Sequence, residues 1–77
     1  MPVNAFIFVE THIGKGKEVN EKIREIPGVK LSHAVTGSYD VIAFVEAEDV
    51  KVLGEFLVKR IHSIPGVFKT TTNVVVA

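Results

Sequence analysis

The chain of 77 residues contains no cysteine, no tryptophan and no glutamine. Without cysteine there is neither a disulfide framework nor a thiolate metal site, and nothing demands an oxidising compartment. An excess of either charge is also missing. Nine Lys and Arg balance nine Asp and Glu, and no basic run is long enough to track a phosphate backbone. Direct nucleic-acid binding is therefore not expected. The apolar stretch ending at Val9 is far too short to cross a bilayer, and Met1-Pro2-Val3-Asn4 lacks the basic region and cleavage site of a secretory signal. These absences point to a cytoplasmic protein with no membrane partner. The lack of glutamine beside abundant Lys, Glu and Val leans toward a thermophilic source.

What is present is a repeat. Ile26-Pro27-Gly28-Val29 returns as Ile64-Pro65-Gly66-Val67, each time after a charged, helix-patterned stretch and before a β-branched run. The spacing is close to half the chain. It describes two copies of a strand-helix-strand unit in which Pro stops the helix and Gly turns into the next strand.

The coarse reading is βαββαβ. Val3 to Glu10 is β-branched, aromatic or small. Val19, Ile23 and Ile26 then mark an amphipathic helix that Pro27-Gly28 ends. Val29 to Thr36 alternates Leu31, His33 and Val35 against Lys30, Ser32 and Thr36, and Tyr39 to Glu46 follows after Gly37-Ser38. A two-residue link with Gly first predicts a type II′ hairpin. Glu48 and Asp49 open a second helix with the inward stripe Val50, Leu53, Phe56 or Leu57, Ile61 and Ile64. Val67 to Val76 closes the chain as a strand. The fold class is α+β: a ferredoxin-like, four-stranded antiparallel sheet with two helices on one face, in a single domain spanning residues 1–77.

A sheet covered on one side should alternate apolar and polar along its inner strands. Here Ala5, Ile7 and Val9 alternate with Phe6 and Phe8, and Val41, Ala43 and Val45 with Ile42 and Phe44. Both faces are apolar, so the uncovered one is expected to meet a second copy, with Phe6, Phe8, Ile42 and Phe44 as interface candidates. Periodicity alone does not assign which parity faces the partner. Burying four large side chains contributes about 6 to 12 kcal/mol per chain, against an association cost of about 4 to 15 kcal/mol. A domain this small, burying only about 60% of its unfolded surface, is expected to gain from such a partner.

Catalytic motifs are scarce. There is no H-E-x-x-H, P-loop, G-x-G-x-x-G or nucleophile elbow, and Gly14-Lys15-Gly16-Lys17 lacks Walker spacing. His12, His33 and His62 read as structural or solvated groups, and their spacing does not support a metal site. No catalytic residue, metal or cofactor is assigned. Thr36-Gly37-Ser38-Tyr39-Asp40 carries more. A bound amino acid needs an acceptor for its ammonium and donors for its carboxylate. Asp40 is suited to the first, and turn N–H groups with the hydroxyls of Thr70 and Thr72, two apart on one strand face, to the second. The plainer alternative makes Gly37-Ser38 a hairpin turn, Asp40 a solvated carboxylate, and Thr70 to Asn73 a polar edge strand.

These residues resemble the effector-binding domain of the Lrp/AsnC, or feast/famine, transcription regulators, often called the RAM domain. The resemblance spans nearly the whole chain through the two Ile-Pro-Gly-Val segments, Ser32-His33-Ala34-Val35, Val35-Thr36-Gly37-Ser38-Tyr39-Asp40, and Thr70 with Thr72. It implies a dimer of facing sheets (a dimeric α+β barrel), further association up to octamers, and small effectors, usually amino acids, bound between dimers. Ligand contacts are thereby implied at Gly37, Ser38, Tyr39, Asp40, Thr70 and Thr72. Family regulators carry a helix-turn-helix domain before this one, but the first strand here begins within a few residues of Met1. The expectation is a stand-alone domain, without DNA binding of its own, that modulates transcription through a full-length regulator of the family. Two alternatives share the architecture. A small dimeric α+β-barrel enzyme, an isomerase or cofactor-free monooxygenase, would need a pocket with His or Tyr between helices and sheet, where this sequence places aliphatics. A ligand-free structural adaptor would assemble with the regulator and ignore small molecules.

Overall fold

A computed structural model describes residues 2–77. Four strands, β1 (Val3–Thr11), β2 (Val29–Ala34), β3 (Val41–Ala47) and β4 (Val67–Val74), form an antiparallel sheet in the order β2-β3-β1-β4. Helix α1 (Gly16–Arg24) lies between β1 and β2. The second helical run joins α2 (Val50–Val52), a π-helical stretch (Leu53–Val58) and α3 (Lys59–His62). The expected βαββαβ order is present.

Both Pro-Gly repeats are turns of the same geometry. Gly28 and Gly66 have φ of 100° and 102°, a region that only glycine enters freely. Val29 N–H donates to the Ile26 carbonyl at 3.2 Å and Val67 N–H to that of Ile64 at 3.1 Å, as in a type II turn with Pro then Gly at its centre. The Gly28 carbonyl accepts from Glu46 N–H and the Gly66 carbonyl from His12 N–H, each at 2.8 Å. Each turn is thus tied to the end of a central strand. Asp49 caps the second helical run, accepting from Val52 N–H at 2.8 Å.

The structure assigns the parity. Ala5, Ile7 and Val9 of β1, with Val41, Ala43 and Val45 of β3, are buried beneath Val19 and Ile23 of α1 and Leu53, Leu57 and Ile61 of the second run. Their alternates, Phe6, Phe8, Ile42 and Phe44, lie on the other face, over which no helix or strand among the described residues packs. The helical stripe differs from expectation at Val50, and of the alternatives Phe56 and Leu57 it is Leu57 that points inward. Val50 and Phe56 are exposed, and Arg60 lies over the Phe56 ring at 5.3 Å. Leu53, Leu57 and Ile61, four apart, keep to one line through the wider π winding.

The hairpin between β2 and β3 also differs. Val35 N–H donates to the Asp40 carbonyl at 2.9 Å, so residues 35–40 form the link instead of Gly37-Ser38 alone. The strands stop at Ala34 and start at Val41 because Asp40 is drawn to β1, its N–H donating to the Val9 carbonyl at 2.9 Å. β4 ends at Val74, two residues before the expected Val76. No helix among the described residues is long and apolar enough to cross a membrane.

Candidate functional site

The site grows from the 35–40 link. Gly37 has φ of 127°, which lets the chain turn back toward β3. Asp40 anchors the turn three times: its N–H to Val9, its carbonyl to Val35, and its Oδ2 accepting from Thr11 N–H at 2.8 Å. Tyr39 packs on Phe8 with ring centroids 4.9 Å apart, fixing the turn from the open-face side. Among the described residues, the N–H groups of Thr36, Gly37, Ser38 and Tyr39 donate to no protein acceptor. These four N–H groups directly precede Asp40 in the turn and are of the donor type that a ligand carboxylate would need.

Gly37, Ser38, Tyr39 and Asp40 are therefore contiguous at one end of the sheet. Thr70 and Thr72 are set apart from them. They pair with Val9 and Ile7, on the opposite edge of β1 from β3, about 10 Å from the β3 side by two strand spacings. Their register partners belong to the helix-covered face, whereas Tyr39 stacks on Phe8 of the open face. One protomer does not gather all six residues around one cavity. The Asp40 carboxylate was read in the sequence as an acceptor for an ammonium; one of its oxygens is already engaged by Thr11 N–H, which leaves Oδ1 for a ligand.

Two hollows lie elsewhere. One, about 210 Å³, sits at the other end of the sheet among Gly28, Lys30, Glu46 and Glu48, where Lys30 Nζ and Glu46 Oε1 pair at 3.7 Å. The second, about 250 Å³, lies on the open face and is lined by Phe6, Leu31, His33, Val35, Ile42 and Phe44. Leu31 is 58% exposed and Phe6 41%, while Phe6 and Phe44 contact each other with centroids 4.8 Å apart. Among the described residues no three His, Asp or Glu side chains cluster as metal ligands would.

Two features escaped the sequence reading. Asn20 of α1 is buried and accepts from the hydroxyl of buried Ser32 in β2. Arg24, in the last turn of α1, donates through Nε to the Ser32 carbonyl at 2.8 Å and reaches His33 Nδ1 at 3.4 Å. The available signals were a polar residue beside the Val19–Ile23 stripe and a cation at a helix C-terminus.

The pattern of the Lrp/AsnC ligand binding domain matches residues 4–77. The chain belongs to that family. An HTH-type transcriptional regulator of Pyrococcus furiosus is 34% identical over 91% of this chain and 49% of its own length, so the chain spans about half of that relative. That relative's thermophilic source fits the lean of this chain's composition. The solved structure of FFRP-DM1 superposes with a TM-score of 0.88 at 38% identity, covering 96% of this chain and 99% of that one. A transcriptional regulator from Neisseria meningitidis, solved in complex with L-methionine, shares the fold at a TM-score of 0.83 and 23% identity over 97% of this chain and 50% of that one. The family is one of transcription regulators, and its RAM-type ferredoxin-like fold is the one seen here.

Proposed function

We propose that this Lrp/AsnC domain senses a small amino-acid-type effector at the 36–40 turn and passes the signal on through assembly with other copies. The observation that carries the reading is the set of unengaged N–H groups from Thr36 to Tyr39 beside the anchored Asp40 carboxylate. Donors for a carboxylate and an acceptor for an ammonium are consecutive in this turn, and free-amino-acid recognition requires both. The methionine complex of the Neisseria relative makes amino acids the first class to test. Because Thr70 and Thr72 lie away from the turn within a protomer, the complete pocket on this reading forms where a second copy closes over it. Isothermal calorimetry against the common amino acids tests the proposal: a saturable response in the wild type that vanishes in Asp40→Asn supports it, and silence toward all of them removes it.

The open sheet face favours a homodimer of facing sheets. Phe6, Phe8, Leu31, Val35, Ile42 and Phe44 are all partly or largely exposed on one surface. Burying what remains of them contributes about 1 to 1.5 kcal/mol each, or roughly 12 to 18 kcal/mol for two copies, against about 4 to 15 kcal/mol lost on association. Dimers would then associate further, up to an octamer, bringing turns of neighbouring dimers together. Control of transcription, in this reading, comes from co-assembly with a helix-turn-helix regulator of the family. Light scattering with and without effector reads both levels of assembly.

A further inference from the structure

The register adds β2 to the open face. Leu31 pairs with Phe44 and His33 with Ile42, so the outward row of β2 runs Leu31, His33, Val35, while Ser32 turns inward and is buried. An ionisable ring therefore stands on the edge strand β2 between Leu31 and Val35, at the border of the apolar surface that the homodimer reading covers.

Its partner constrains its protonation. His33 Nδ1 lies 3.4 Å from Arg24 Nη2, and a guanidinium has donors only, so Nδ1 accepts and the contact requires an unprotonated Nδ1. Arg24 is held in place by its bond to the Ser32 carbonyl. No carboxylate among the described residues bonds to His33. Glu46 of β3 pairs with Lys30 of β2, Glu10 of β1 stands opposite Lys69 of β4, Tyr39 stacks on Phe8, and Asp40 is engaged by Thr11.

We propose that His33 makes the contact between the open faces of two copies proton-dependent. The proposal rests on the homodimer reading. In the neutral form His33 accepts from Arg24 and enters the apolar contact at little cost. Protonated, it loses its role as acceptor, stands beside a permanent cation, and carries charge into a surface without a counter-ion. The sign follows: the assembled form disfavours imidazolium, so proton uptake favours separate copies. Assembly therefore weakens on acidification. Each dimer holds two such rings, which steepens the response.

Analytical ultracentrifugation over a dilution series at pH 7.5 and 5.5 tests this on the full chain, with circular dichroism monitoring the fold. The wild-type dimer dissociation constant is expected to rise tenfold or more, as an order of magnitude, on acidification, and that of His33→Gln by less than about threefold. His33→Leu, which keeps apolar bulk at the site, should be as insensitive as His33→Gln. A flat wild-type response, or an equal response in both variants through His12, His62 or the carboxylates, overturns the proposal while leaving the dimer standing. A monomer at every pH and concentration overturns the dimer reading and this proposal with it.

Discussion

Thr11 N–H donates to Asp40 Oδ2 at 2.8 Å, fastening the β2–β3 turn to the end of β1 across 29 positions of sequence. The same carboxylate is the acceptor proposed for an effector ammonium, and on that proposal substitution separates the observed tether from the binding role. Asn keeps an oxygen for Thr11 N–H and loses the charge, whereas Ala loses both. Asp40→Asn is expected to hold stability within about 0.5 kcal/mol and abolish amino-acid binding; Asp40→Ala should also lose about 1 to 2 kcal/mol in urea unfolding. Equal unfolding curves for the two variants would show that the tether contributes nothing.

The duplicated turns predict unequal consequences at similar φ. A Cβ on Gly28 would meet the Glu46 carbonyl oxygen at 3.0 Å and the Leu57 methyls at 3.2 Å, whereas one on Gly66 would meet the Lys15 side chain at 3.1 Å and Val19 Cγ2 at 3.2 Å. The carbonyl oxygen at 3.0 Å is the tighter contact of the two sites, Lys15 being met at its Cβ. Gly28→Ala should cost about 2 to 4 kcal/mol and Gly66→Ala about 1 to 3 kcal/mol. Gly54, in the second helical run with nothing within 4 Å of its would-be Cβ, predicts the opposite sign: Gly54→Ala stabilises by about 0.5 to 1 kcal/mol. Thermal melts of the three variants rank them.

The Ile-Pro-Gly-Val repeat makes the duplicated architecture legible in the sequence, because Pro and Gly restrict the backbone locally and the restriction is written in the residue itself. Apolar residues at both parities of β1 and β3 likewise point to a second apolar face, which lies open in the structure. What the sequence could not carry was non-local. The link between β2 and β3 looks like a two-residue hairpin until β1 claims Asp40, and only that tertiary bond widens it to residues 35–40. In β2 the more apolar row, Leu31 and Val35 with His33, faces outward and the polar Ser32 inward. Hydrophobic period gives a strand two faces; which one meets the helices is decided by register and by the hydrogen bond that Asn20 offers. The candidate site was legible as residue types in the turn, and its relation to Thr70 and Thr72 was not, because strand order places β1 between them.

The two faces of the sheet should answer differently to substitution. Ile7 is fully buried beneath the helices and Leu31 is 58% exposed on the open face. Ile7→Ala leaves a cavity and should cost about 2 to 5 kcal/mol. Leu31→Arg should leave the far-ultraviolet dichroism unchanged and move the protein to the monomer position in gel filtration, because a guanidinium would be carried into an apolar contact. A dimer that persists in Leu31→Arg and in Phe6→Arg would place the interface elsewhere.

The buried pair Asn20 and Ser32 joins α1 to β2, and its energetics differ from those of the apolar core around it. The Ser32 hydroxyl donates to Asn20 Oδ1, with both residues under 10% exposed. Removing the hydroxyl alone leaves an amide oxygen dry and without its donor, so Ser32→Ala should lose about 1 to 3 kcal/mol although it deletes a single atom. Replacing both groups by apolar ones removes the unsatisfied oxygen. Ser32→Ala combined with Asn20→Leu should therefore recover much of the loss, with a coupling of about 1 kcal/mol or more across the double-mutant cycle. Additive single-mutant costs in urea unfolding would mean that water reaches Asn20 and satisfies it when Ser32 is gone. Full coupling would establish that a dry polar contact, one residue from His33, holds α1 on β2.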